Sequence, residues 1–206
     1  MIISTKRKIR DISRLIGSLV FFWLYIPHLL VYFLSSHKSA INSDIVRLRK
    51  QLNIDLPCWV AVLYFLHNSS YYRSVFYYRI GPVLALLIGW WRRGNSSFII
   101  PYSTKIGSGL YFAHPFSTVL NAESIGNNFS CVHCTTLGKK DGRRPIIGDN
   151  VQVGANACLI GGIHIGDNVI IGAGSVVVKD ISDNSVVAGN PARVVRSIHE
   201  SIDCIK

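Results

Sequence analysis

The chain has 206 residues, 22 Lys+Arg against 11 Asp+Glu, a formal net charge of +11 and 49% apolar residues. Enough apolar surface exists to bury a core, which excludes a disordered charged tail. Residues 1–100 hold 13 basic and 3 acidic groups and 17 of the 22 aromatics, whereas residues 101–206 hold 9 and 8. The charge travels with the greasy half, so it points to a membrane surface and not to nucleic acid.

In chain order, the first predicted element is an apolar helix. Leu15 to Leu34 is free of formal charge and as a helix would be about 30 Å long, enough to cross a bilayer. Pro27 and His28 interrupt it, and basic residues flank both ends: Lys6, Arg7, Lys8, Arg10 and Arg14 before, Lys38, Arg47, Arg49 and Lys50 after. A kinked re-entrant or interfacial helix with both ends on the cytoplasmic side fits this pattern better than a crossing. The runs Trp59–Leu66 and Val83–Trp91 are too short to span and could lie at the same surface. The alternative is a buried helical layer packed on the second half or on a neighbouring subunit. No small-residue cleavage site follows the apolar run, so a cleaved signal peptide is not expected. Cys58, Cys131, Cys134, Cys158 and Cys204 are odd in number and without framework spacing, which predicts reduced thiols. Cys131 and Cys134 lack a second pair at zinc spacing, so no metal site is expected.

From residue 147 the sequence repeats every six positions. Ile147, Val153, Leu159, Ile165, Ile171 and Val177 are aliphatic, and glycine follows four of them, at 148, 154, 166 and 172. An even period keeps the lead residue of each short strand pointing inward, whereas a helical period of 3.6 drifts against six. The pattern predicts a stacked-strand solenoid. It continues upstream through Ile106, Ile125, Cys131 and Leu137, with ten positions instead of six between Leu137 and Ile147. Four residues must therefore leave the coil as a loop within 138–145, and loops expelled from rigid scaffolds are where function concentrates.

These residues resemble a known family. The units Ile147-Gly-Asp-Asn-Val-Gln and Ile171-Gly-Ala-Gly-Ser-Val, with the closing Ala188-Gly-Asn-Pro-Ala-Arg193, look like the hexapeptide-repeat acyltransferases. Lys105-Ile-Gly-Ser-Gly-Leu-Tyr-Phe-Ala-His114 is similar to the serine acetyltransferase group, including its capsule and O-antigen relatives. The likeness covers residues 106–194. It implies a mainly β fold, a left-handed parallel β-helix of hexapeptide repeats preceded by the helical apolar region, a homotrimer, and acetyl-CoA held in grooves between adjacent subunits. The expected organisation is a helical, membrane-associated region over 1–98, an acetyltransferase β-helix over 99–195 and a tail over 196–206.

Moving an acetyl group from a thioester to an alcohol needs a base for the hydroxyl proton, donors for the tetrahedral oxyanion and a slot for the thioester. Histidine titrates in the range such a base requires. His114 matches the catalytic histidine of the family pattern and is the expected general base. His133, 19 residues later and close to one 18-residue coil, is a possible acceptor contact on the same face. Ala113 stands where serine acetyltransferases have an acid, and Arg143-Arg144-Pro145 stands where they have Arg-His-Pro. Arg143 and Arg144 would suit an anionic or sugar acceptor, or the oxyanion. Glu123 or Asp141 could orient His114. For acetyl-CoA, the resemblance implies main-chain contacts at Gly154, Ala155, Gly172 and Ala173, where small residues admit a thin pantetheine chain. Lys179, Arg193 and Arg196 could meet its phosphates.

The expected activity is acetyl-CoA-dependent O-acetylation of a surface-polysaccharide sugar, at the cytoplasmic face of the inner membrane. The alternatives are a serine O-acetyltransferase of cysteine synthesis, in the cytoplasm, and a non-catalytic trimeric scaffold. Zinc lyases on the same solenoid need three clustered histidines, a pattern that His114, His133 and His164 do not resemble.

Overall fold

The computed structural model describes residues 2–198, with side chains from Asp11 onward. The side chains of Lys6, Arg7, Lys8 and Arg10, and the tail from His199 onward with Cys204, therefore lie outside what is described. Two compact units divide at Asn95/Ser96.

The first unit is helical: α1 (Ile2–Val20), a 3₁₀ turn (Phe22–Tyr25), α2 (Ile26–Leu34), α3 (Lys38–Leu52), α4 (Cys58–Asn68), α5 (Ser70–Ile80) and α6 (Pro82–Gly89). The break in the apolar run comes before Pro27, not at it. Asp11–Val20 and Phe22–Leu34 bend by 73° at Phe21, and Pro27 sits in the first turn of α2, where its missing N–H costs nothing. No single described helix is long and apolar enough to cross a membrane.

The core of this unit forms around α4, whose residues Ala61 to Leu66 are all buried. The run Trp59–Leu66 thus belongs largely to the protein interior and not to a surface, because α1, α3 and α5 all pack against it. Tyr25, Leu29, Tyr32, Ile41, Ile45, Phe76 and Ile80 complete that core. The buried charges are paired: Arg79 meets Asp44 in a two-pronged ion pair, Nε to Oδ2 at 2.9 Å and Nη2 to Oδ1 at 3.1 Å. Arg73 donates to the carbonyls of Leu66 and Arg93. His28, fully buried, lies 3.1 Å by Nε2 from the Tyr77 hydroxyl, which donates onward to the Arg92 carbonyl. Nε2 must then carry the proton, and Nδ1 has no hydrogen-bond partner. Burial, reinforced by the Arg73 charge, lowers the His28 pKa to about 4.

The second unit is the predicted solenoid, a parallel β-helix with three faces. One face stacks Phe98–Ile99, Thr118–Leu120, Thr136–Gly138, Cys158–Ile160 and Val176–Val177. The second stacks Lys105–Ile106, Ser124–Ile125, Ile146–Ile147 and His164–Ile165. The third stacks Tyr111–Ala113, Ser130–Val132, Gln152–Val153, Ile170–Ile171 and Ser185–Gly189, and Ala192–Ser197 closes it antiparallel. The six-residue pattern is read out directly: every lead residue from Ile147 to Val177 is at most 2% exposed.

The corner between the second and third faces shows why the repeat reads Gly-Asp-Asn. Asn128, Asn150, Asn168 and Asn184 all adopt positive φ, which asparagine tolerates. Their side chains form a ladder, each amide donating to the next at 3.0 Å. Asp149, Asp167 and Asp183 accept from backbone N–H groups of the preceding coil at 2.6–2.8 Å. Each coil thereby satisfies the exposed amides of its neighbour.

Candidate active site

The other two corners carry the candidate chemistry. At the corner from the third face to the first, 19 residues separate the paired Ala113 and Val132, but 17 separate Val119 and Thr136. Two residues, His114-Pro115, therefore leave the coil at this point. His114 is exposed and takes φ 51°, an uncommon conformation for a residue with a Cβ and one held only where the surrounding chain demands it. The Phe116 N–H donates to the His114 carbonyl at 2.6 Å and closes the bulge. Phe116 then resumes the ladder, accepting from the Cys134 N–H at 2.8 Å, so His133 stacks on Phe116 and not on His114. The two histidines share a corner, with His114 projecting from it.

Along the same corner, the next coils place Gly154-Ala155 and Gly172-Ala173 in line with Val132-His133. The four small residues have two separate purposes. A Cβ on Gly154 would lie 2.5 Å from the Ala173 nitrogen and one on Gly172 would lie 3.1 Å from the Ala188 Cβ, so these glycines let the coils stack. Ala155 and Ala173, half-buried and exposed, give a low strip beside His133 on which an extended chain can lie. Cys134 and Cys158 are half-buried free thiols nearby in sequence, while burial raises the Cys131 thiol to about 12, which keeps it protonated.

The expelled loop is at a different corner, from the first face to the second. Lys140 and Arg143 pair through reciprocal N–H···O bonds of 2.9 and 3.0 Å around Asp141 (φ 50°) and Gly142 (φ 78°). This is an Asp-Gly hairpin turn with both central residues at positive φ. The base of the loop is fixed by Arg144, which donates to Glu123 Oε2 at 2.6 Å and to Ser103 Oγ at 3.0 Å. A cleft of about 380 Å³ beside the hairpin is lined by Lys140, Arg143, Gly161, Gly162, Lys179 and Asp180, among others.

Within one chain, then, the structure brings His114, His133, Ala155 and Ala173 to one corner, and Glu123, Asp141, Arg143, Arg144 and Lys179 to another. Glu123 is engaged by Arg144 at its own corner and does not face His114 of the same chain. Arg193 and Arg196 are exposed on the closing strand. Sequence reasoning did not find Ser103, whose only sequence signal was its place two coils before the loop. Among the described residues no group of three or more His, Cys, Asp or Glu could hold a metal ion.

Residues 144–179 match the family model of the bacterial transferase hexapeptide, six repeats. The solenoid thus carries the bacterial transferase hexapeptide, and the chain is similar to the serine acetyltransferase group of the hexapeptide-repeat acyltransferases. It is 41% identical over 135 residues to serine acetyltransferase 1, chloroplastic, of Arabidopsis thaliana, covering 60% of this chain and 42% of that protein. Probable serine acetyltransferase 1 of Oryza sativa subsp. japonica is 33% identical over 171 residues, 77% of this chain and 55% of the relative. The chain thus spans about half the length of these curated relatives, or less. Among solved structures, serine acetyltransferase of Neisseria gonorrhoeae in complex with serine is similar with a TM-score of 0.65 and 27% identity, over 85% of this chain and 74% of that one. A serine acetyltransferase in complex with CoA gives 0.61 and 28%, over 76% and 68%. The likeness to solved structures reaches beyond the hexapeptide solenoid, which makes up little more than half of this chain.

Proposed function

We propose that this hexapeptide-repeat protein transfers the acetyl group of acetyl-CoA to the hydroxyl of serine, with His114 as general base. The observation that carries the reading is the one corner that holds the projecting His114, then His133, then the strip of Ala155 and Ala173, in a chain whose relatives are named serine acetyltransferases. His114 takes the hydroxyl proton as the oxygen attacks the thioester carbonyl. The tetrahedral oxyanion then collapses, the C–S bond breaks, and the CoA thiolate recovers the proton from the imidazolium. Such base assistance is worth about 10²–10⁴-fold, or about 3–5 kcal/mol.

The homotrimer belongs to the same proposal. A cyclic trimer makes heterologous contacts, so a corner of one copy faces a different corner of the next. His114 of one subunit and the Arg143 hairpin of its neighbour, separate within a chain, could line one groove in that arrangement. Serine replaces the polysaccharide sugar as the leading acceptor because the relatives bearing a named acceptor point to it. The sugar reading retains one specific support: Ala113 offers no carboxylate beside His114 to meet the amino group of serine.

The test is release of free CoA thiol with serine, nucleotide sugars and membrane-extracted glycan lipids as acceptors. Saturable turnover on serine is expected. Turnover confined to the glycan acceptors would move the assignment to the sugar, and no release with any acceptor would refute the enzymatic reading.

A further inference from the structure

The helices of the first unit carry more apolar surface than their own core uses. On α2, His28, Leu29 and Tyr32 are buried, yet Ile26, Leu30, Phe33 and Leu34 stand 42–84% exposed at i, i+4, i+7 and i+8. That spacing is one full helical face. On α1 the same spacing recurs in Ile12, Ile16, Leu19 and Val20, 51–61% exposed. On α6 and at its C-cap, Val83, Leu86, Leu87 and Trp90 are 64–77% exposed. Trp91, just beyond α6, packs its ring 5.2 Å from Tyr25 and 6.4 Å from His28, which ties the end of α6 to the start of α2. Trp23, 63% exposed, belongs to the turn that carries Tyr25. A helix apolar on both faces needs something to cover the outer one.

The charges around these stripes are cationic. Arg14 lies exposed on α1 between Ile12 and Ile16, and Arg93 lies exposed three residues after Trp90. Lys38 holds its Nζ 5.0 Å from the ring centre of Phe33 and 5.6 Å from that of Tyr32, at the edge of the α2 stripe. Of the unit's three acids only Asp11 lies on α1, α2 or α6; Asp44 on α3 pairs with Arg79, and Asp55 pairs with Arg49. A second copy would bring cationic rim against cationic rim. Aliphatic stripes with exposed tryptophans and a basic rim instead complement an anionic bilayer, whose headgroups attract lysine and arginine while tryptophan settles at the interface.

We propose that the outer faces of α1, α2 and α6 dock this protein onto the surface of a bilayer rich in anionic phospholipid, without crossing it. The inference is independent of the acetyl acceptor, and its test needs no turnover. Full-length protein is floated with vesicles of phosphatidylcholine alone, or with about 30% phosphatidylglycerol added. Flotation with the anionic vesicles is expected, at least about tenfold stronger than with neutral ones and weakened by high salt. Leu30→Glu with Leu86→Glu changes only exposed positions and is expected to reduce flotation at least about tenfold while leaving the thermal unfolding curve in place. Absence of flotation with anionic vesicles would overturn the proposal. So would flotation unaffected by the double substitution. A concentration-dependent rise in molar mass that the double substitution abolishes, without vesicle binding, would assign the face to a second copy.

Discussion

Acidification should weaken the helical unit through a single imidazole. His28 is sealed among Tyr25, Phe76, Tyr77 and Trp91, with Nδ1 lacking a partner and the Arg73 charge close by. Its pKa falls from 6.5 to about 4. Between those values the unfolded chain binds a proton that the folded chain refuses, so stability is complete above the unfolded pKa and is lost as pH falls through the window. The full loss is about 3 kcal/mol, of which about 2 kcal/mol falls between pH 7 and pH 5. His67, whose pKa is lowered by burial and by Arg92 and Arg73, acts in the same direction. All four tryptophans lie in the helical unit, so denaturant titration followed by tryptophan fluorescence isolates its unfolding. His28→Gln should be less stable at pH 7 but should lose much less of its stability on going to pH 5. Equal losses in wild type and variant would refute the assignment.

The Asp44–Arg79 pair gives a second test. Asp44→Ala strands a guanidinium whose side chain is 5% exposed and should cost about 3–5 kcal/mol in the same titration, whereas replacing both partners with leucine and methionine should cost far less. In the solenoid, Leu159 is fully buried, so Leu159→Ala should cost about 2–5 kcal/mol, read as a lower melting temperature by far-UV circular dichroism.

The solenoid was the most legible part of the chain because its period is covalent. Each six-residue unit has two inward positions; Ile147 to Val177 fill one and Val151 to Ile181 fill the other, all of them buried. The expelled loop followed from counting alone, since ten positions cannot fit where six do. The position of His114 was harder. Its separation from His133 looked like one coil, but the two-residue bulge at His114-Pro115 shifts the ladder, and a local insertion of that size leaves no mark in a repeat already irregular upstream of Leu137. Glu123 was legible only as an acid near the site. Its engagement by Arg144 depends on stacking between coils 21 residues apart, which a linear reading does not supply. In the helical unit, Trp59–Leu66 and Val83–Trp91 have similar hydropathy but opposite fates. α4 is enclosed by α1, α3 and α5 while α6 packs mainly on α5, so neighbours decided their burial where composition could not.

The central claim is that His114 performs the proton transfer at its corner of the solenoid. It is tested by thiol release with acetyl-CoA and serine for wild type and His114→Ala, alongside CoA binding measured by calorimetry. His114→Ala should lower kcat by about 10²–10⁴-fold with CoA affinity within about threefold of wild type, a change worth less than about 0.7 kcal/mol. Near-normal turnover in His114→Ala would contradict it.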